Sequence, residues 1–89
     1  MIDKNFIEKV KSALNIVNVV EQFTHLHKAG VNYKGVCPFH DDHAPSMLVS
    51  PSRQTYHCFV CEAGGDVISF VQNHMNLTFM EALRWCAAQ

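Results

Sequence analysis

A small α+β domain, an antiparallel β-sheet flanked by N- and C-terminal helices and stapled by one metal ion, is predicted by three features of the sequence. Two ligand pairs of C-x₂-H and C-x₂-C spacing, Cys37 with His40 and Cys58 with Cys61, have seventeen residues between them. Turn-forming residues crowd the stretch from Phe23 to Cys58, and apolar residues recur at helical spacing on either side of it.

At 89 residues, 48% apolar and 17% charged, the chain is too hydrophobic to be disordered and too short for more than one ordinary domain. A single domain over 1–89, the N-terminal part of a longer protein, is the expectation. Its core alone supplies little margin, so a cross-link is expected. Asp3 and Lys4 stand where the apolar part of a secretory signal would begin, which disfavours disulfides. The longest aliphatic stretch, Ile16 to Val20, is far shorter than the roughly 20 residues that span a bilayer. The expectation is a soluble cytoplasmic protein with no membrane partner. The formal net charge of −1 gives no support to nucleic-acid binding over the whole surface, so any such affinity must come from a local patch.

Asp3 can cap a first helix whose Phe6, Ile7, Val10 and Leu14 share a face, with Asn15 ending it. The β-branched run Ile16 to Val20 fits either a strand or a short buried helix. Short antiparallel strands are expected near Phe23–Lys28, Asn32–Val36, Ser46–Ser50 and Thr55–Cys58, with Met47 and Val49 on one face and Leu48 exposed on the other. Asp66 is a good N-cap for a helix with an apolar stripe of Val67, Ile68, Phe70, Val71 and Met75. Thr78 and Glu81 fit a capping box that opens a last helix carrying Met80, Leu83 and Trp85. At this spacing Met and aromatic residues read as core packing.

The chemistry sits in Cys37-Pro38-Phe39-His40 and Cys58-Phe59-Val60-Cys61. Two residues between ligands let a tight turn aim both side chains at one ion, and a hairpin between the pairs completes a tetrahedron. Three thiolates and an imidazole suit one structural Zn²⁺. With all four positions taken by protein, neither water nor substrate has a place, which argues against a zinc hydrolase. Cys58-x-x-Cys61 alone would also fit a redox pair, but the C-x-x-H pair beside it favours metal. His57 should point opposite to Cys58 in an extended segment, and His43 lies beyond the likely turn, so neither displaces His40. His25, His27 and His74 read as surface or partly buried imidazoles, Asp41 and Asp42 as turn or solvent-facing carboxylates, and Cys86 as a small buried hydrophobe.

Tyr33-Lys34-Gly35-Val36-Cys37-Pro38-Phe39-His40-Asp41-Asp42, with Pro45-Ser46, Val49-Ser50-Pro51, Tyr56-His57-Cys58-Phe59 and Gly64-Gly65-Asp66-Val67, resembles the zinc domain of DnaG-type bacterial primases over nearly the whole chain. The resemblance implies a zinc ribbon that helps a separate polymerase domain, of the same or another primase chain, select single-stranded DNA template for RNA primer synthesis. A replicative helicase would be a partner through the parent protein. Nucleotidyl transfer would belong to a downstream domain, so no catalytic residue is expected here. His43, Met47, Val60 and Glu62 depart from the family pattern, where a lysine, an aromatic residue and glycines are usual, and they subtract a positive charge and a stacking surface. The resemblance places DNA across the sheet near Lys34, Arg53 and Tyr56, with Lys28 and His57 as further contacts. Lys34 and Arg53 can neutralise phosphates, and an exposed aromatic such as Tyr56 or Phe59 can stack a base. The plainer reading makes the cations solvated turn residues and the aromatics core. A zinc-stabilised protein-interaction or adaptor domain of a mobile-element or primase-derived protein is the alternative function.

Overall fold

The computed structural model describes residues 3–40 and 44–89. The chain opens on α1 (Lys4–Ala13), whose first turn is closed by Asp3 Oδ1 accepting from the Asn5 N–H at 2.9 Å. Val10 is its buried contact, while Phe6, expected on the same face, is 46% exposed. The helix ends on Leu14, one residue before the expected stop, because Asn15 caps the next element. That element is α2 (Ile16–Val20), and Asn15 Oδ1 accepts from the Val17 N–H at 3.0 Å. Four of its five residues are buried, and only Asn18 faces out. Burial around most of the circumference suits a short buried helix, and it overrides the β preference of the branched side chains.

Five strands follow: β1 (Leu26–Ala29), β2 (Asn32–Gly35), β3 (Met47–Ser50), β4 (Thr55–Cys58) and β5 (Gly64–Gly65). They lie side by side in chain order, every neighbouring pair antiparallel. The β1–β2 hairpin turns on Gly30 and Val31, and Gly30 supplies the positive φ of 67° that so short a connection needs. Phe23 was expected in β1 but sits in the turn after α2, its N–H donating to the Val20 carbonyl at 2.9 Å. Its ring packs on Phe70, His74 and Trp85 instead of joining the ladder.

Pleating gives the sheet two faces. Leu26, Gly35, Met47 and Cys58 form one inward row. The neighbouring outward row is His27, Lys34, Leu48 and His57. Met47 and Val49 therefore face the core as expected, while Leu48 on the outer face is half-buried between Lys34 and His57.

α2 and the third helix pack on the inner face, and the last helix packs on the third and on α1. Asp66 caps α3 (Val67–Met75) by accepting from the Ser69 N–H at 2.8 Å, and α3 ends on Asn76 at a φ of 55°. Gly65 precedes the cap at a φ of 147°, and a Cβ there would lie 2.7 Å from Ser69 Cβ, so the β5-to-α3 corner requires glycine. Thr78 and Glu81 form the expected capping box of α4 (Phe79–Ala87). The core runs from α2 through the inner sheet face to Phe70, Val71 and Leu83.

Asp66 also ties α3 to α1 through Lys11 Nζ at 3.2 Å. Burial would raise its carboxyl pKa, but the Ser69 N–H and the Lys11 ammonium together hold it below the usual value. A depressed carboxylate stabilises the fold above its unfolded pKa, and that contribution is lost as pH falls through the folded value. Asp66→Ala should cost about 1 kcal/mol at neutral pH, as lost N-caps do. The gap to wild type should then narrow as pH drops below the ordinary carboxylate range. Urea unfolding of both zinc-loaded proteins at neutral pH checks the cost, and an Asp66→Ala variant as stable as wild type contradicts it.

Candidate metal centre and outer sheet face

Sheet order brings the two ligand pairs together. β2 and β4 are each antiparallel to β3, so their C-terminal ends leave the same edge of the sheet. Cys37 follows β2 by two residues and Cys58 is the last residue of β4. The second pair is a closed turn: the Glu62 N–H donates to the Cys58 carbonyl at 3.1 Å, and Glu62 takes a left-handed φ of 66°. The Cys58 N–H in turn donates to the Ala63 carbonyl at 2.8 Å.

One ligand atom from each of Cys37, His40, Cys58 and Cys61 lies within 4.8 Å of the others. Cys37 Sγ is 3.7 Å from Cys61 Sγ, and Cys58 Sγ is 3.9 Å from His40 Nδ1. Zn–S bonds of about 2.3 Å and a Zn–N bond of about 2.1 Å give tetrahedral edges of about 3.5–3.8 Å, so the cluster is suited to one zinc ion. With four protein donors the ion is structural, and nothing in this donor set calls for a fifth partner. Three thiolates leave the bound centre at a net charge of about −1.

The thiols differ before metal binds. Burial pushes Cys37 up to about 12, against the opposing pull of the Phe39 N–H. Burial acts on Cys58 too, but the Cys61 N–H, the Ser46 hydroxyl and the Val60 N–H hold it down at about 6. The N–H groups of Val60 and Cys61 stand 3.4 and 3.5 Å from Cys58 Sγ, so each knuckle turns backbone donors toward its first thiolate. Cys86 stands apart, buried in α4, where burial pushes its thiol up to about 11. Asp41, Asp42 and His43 lie outside the described residues.

The residues expected to meet DNA divide between the two faces. Lys34 and His57 share the outward row, and Arg53 stands exposed in the turn between β3 and β4. Tyr56 is a correction: only 2% exposed, it faces the core, where its ring meets Phe70 at 5.1 Å and its hydroxyl accepts from Asn73 Nδ2. It cannot stack a base. Lys28 is exposed on the edge strand β1 and pairs with Tyr33 in the row that continues to Val49 and Tyr56, the row next to that of Lys34 and His57. Its ammonium lies 5.6 Å from the centroid of the Tyr33 ring. The exposed aromatic of the outer side is Phe59, 62% accessible, with the His57 ring edge-on at 4.9 Å. Val31, Asn32 and Leu48, which drew no notice in the sequence as ligand contacts, line the same side.

A five-stranded antiparallel sheet with a Cys₃His cluster at one edge and helices on one face defines a structural zinc-binding domain of the zinc-ribbon class. The family model of the CHC2 zinc finger matches residues 2–89, and the chain belongs to that family, the type of zinc-binding domain found in DNA primases. It is 42% identical to a DNA primase of Neisseria meningitidis serogroup A over 87 residues, covering 98% of this chain and 15% of the relative. A Listeria monocytogenes DNA primase is also 42% identical, over 93% of this chain and 13% of its own length. The crystal structure of the Aquifex aeolicus primase zinc-binding and RNA polymerase domains superposes with a TM-score of 0.88 at 40% identity, covering 93% of this chain and 21% of that one. The chain thus spans about 15% of the length of the curated relatives it matches. Among the described residues no helix is long and apolar enough to cross a membrane.

Proposed function

We propose that this domain binds single-stranded DNA on the outer face of its sheet and helps a primase polymerase domain select the template site at which an RNA primer begins. The observation that carries the reading is the composition of that face, where Lys34, Arg53, His57 and an exposed Phe59 stand together while the helices occupy the other side. Cations on a flat sheet meet phosphates, and an exposed ring offers a stacking surface to any base. The polymerase domain, in the same chain or another, carries the nucleotidyl transfer, because the zinc centre has no open position for substrate. A helicase partner would be met by other parts of such a protein.

With two fixed cations, isolated binding is weak and its salt dependence shallow, a slope of about −1.4 in log affinity against log salt for two phosphates. Titration of labelled single-stranded DNA at low salt should show that Lys34→Ala combined with Arg53→Ala removes most of the affinity. Unchanged affinity in the double variant rejects this face. No binding at millimolar protein favours the adaptor alternative.

A further inference from the structure

We infer that His25 and His27 form a second metal site, separate from the zinc centre, which chelates a divalent ion of nickel or copper type through two imidazoles on the outer side of β1. His27 lies in the outward row of the sheet, and His25, two residues earlier, takes the same side because extended backbone alternates. Both are exposed, and their ring centres stand 4.6 Å apart with the planes at 85°. With metal–nitrogen bonds of about 2.1 Å and a ring centre about 1.1 Å behind each donor nitrogen, two imidazoles in adjacent positions of a square-planar or octahedral ion have centres about 4.5 Å apart. Around a tetrahedral ion the separation is about 5.2 Å. The pair therefore matches a tetragonal ion, and imidazole donors with that geometry suit nickel and copper. Two protein donors leave the other positions of the ion to water.

The backbone that carries the pair is held before any ion arrives. Leu26, between the two histidines, is buried, and Thr24 Oγ1 donates to the Val36 carbonyl at 2.9 Å. Gly35 lies so close that a Cβ there would stand 2.7 Å from the His25 carbonyl oxygen. Closing the chelate thus needs side-chain rotation and little else, which lowers the cost of ordering it. Among the described residues the zinc cluster comprises Cys37, His40, Cys58 and Cys61 and includes neither histidine. His57, the other imidazole of the outward row, is three strand spacings from His27, about 14 Å, too far to join. Lys34 stands directly across from His27, and its ammonium opposes a cation at the pair.

The test is isothermal titration of Ni²⁺ into the untagged, zinc-loaded chain in a non-chelating buffer at neutral pH, with zinc per chain measured before and after. One Ni²⁺ should bind per chain while the zinc is retained. His25→Ala and His27→Ala should each weaken binding roughly ten-fold or more, since each removes one of two donors. Both side chains are exposed, so the variants should fold, and retained zinc reports that they do. Lys34→Ala should tighten binding about two- to five-fold by removing the opposing charge. Nickel held as well by either histidine variant as by wild type, nickel bound only as zinc is lost, weaker binding in Lys34→Ala, or no binding at millimolar ion overturns the site. No nucleic acid is present, so failure of the site and failure of the DNA reading are distinguishable.

Discussion

Stripping zinc with a chelator is expected to unfold the sheet cooperatively, with loss of the near-UV spectrum and of a defined melting transition. Structural zinc contributes apparent binding energies of about 10–16 kcal/mol in small peptides, as much as the whole stability of many domains at about 5–15 kcal/mol. The ligands are part of the core here, because Cys37 and Cys58 are buried in the same cluster as Met47 and Tyr56. Without metal, thiols and an imidazole would be left crowded within 4.8 Å of one another at the end of β2 and β4. Cys58→Ala should therefore abolish folding, while Cys86→Ala removes one small buried side chain and keeps the metal. His40→Ala should lose zinc, whereas His57→Ala should retain it, since the strand period turns His57 to the outer face beside Phe59. Zinc per chain measured on each variant decides the ligand set. A metal-free protein that keeps its near-UV spectrum and melting point, or a His57→Ala variant that loses zinc while His40→Ala keeps it, overturns this expectation.

The parts of the fold that were legible in the sequence are those whose signal is local. Asp66 and Thr78 are side-chain caps that hydrogen-bond three residues on, so their helices begin where the residue types say they should. The metal cluster was legible for a related reason, since C-x₂-H and C-x₂-C turns need only their own backbone to aim two ligands. Elements decided by distant contacts were not. Ile16 to Val20 could be read as strand or helix, and what decides it is burial against α3 and β3, with the Ile16 N–H satisfied by Gln54 thirty-eight residues away. Phe23 left its expected strand for Phe70, His74 and Trp85, partners that lie far along the chain. β5 is two glycines and carries no side-chain period to read.

On the outer face the parity of β4 is set by its metal ligand. Tyr56 lies two residues before Cys58, and a strand period of two puts both on the inner side, since a buried ligand fixes the parity of β4. The same parity turns His57 outward and leaves Phe59, just past the strand, as the exposed ring. Lys28 needed more than parity, because only its register opposite Tyr33 shows which way it leans. The shared lining of the outer side by Val31, Asn32 and Leu48 needed the packing of β2 against β3, which no single segment encodes.

Phe70→Ala is expected to give the second largest loss, about 3–5 kcal/mol, the range for removing a large aromatic side chain from a packed core. Phe70 is 0% exposed, and its ring joins the layers of the domain. It meets Tyr56 of β4 at 5.1 Å edge-on, Phe39 of the first knuckle at 5.3 Å, and Phe23 after α2 at 5.9 Å. Truncation leaves a cavity bordered by these three rings and by His74 of α3, none of which can collapse into it without pulling on its own strand, knuckle, turn or helix, so relaxation recovers little. Because Phe39 stands between Cys37 and His40, the loss should also speed zinc exchange at unchanged stoichiometry. Phe79→Ala at the solvent-facing start of α4, 41% exposed, is the control and should cost less than about 1 kcal/mol. Urea unfolding of the zinc-loaded variants measures both. A Phe70→Ala loss no larger than that of Phe79→Ala would mean that the aromatic cluster adds little to holding sheet, knuckle and helices together.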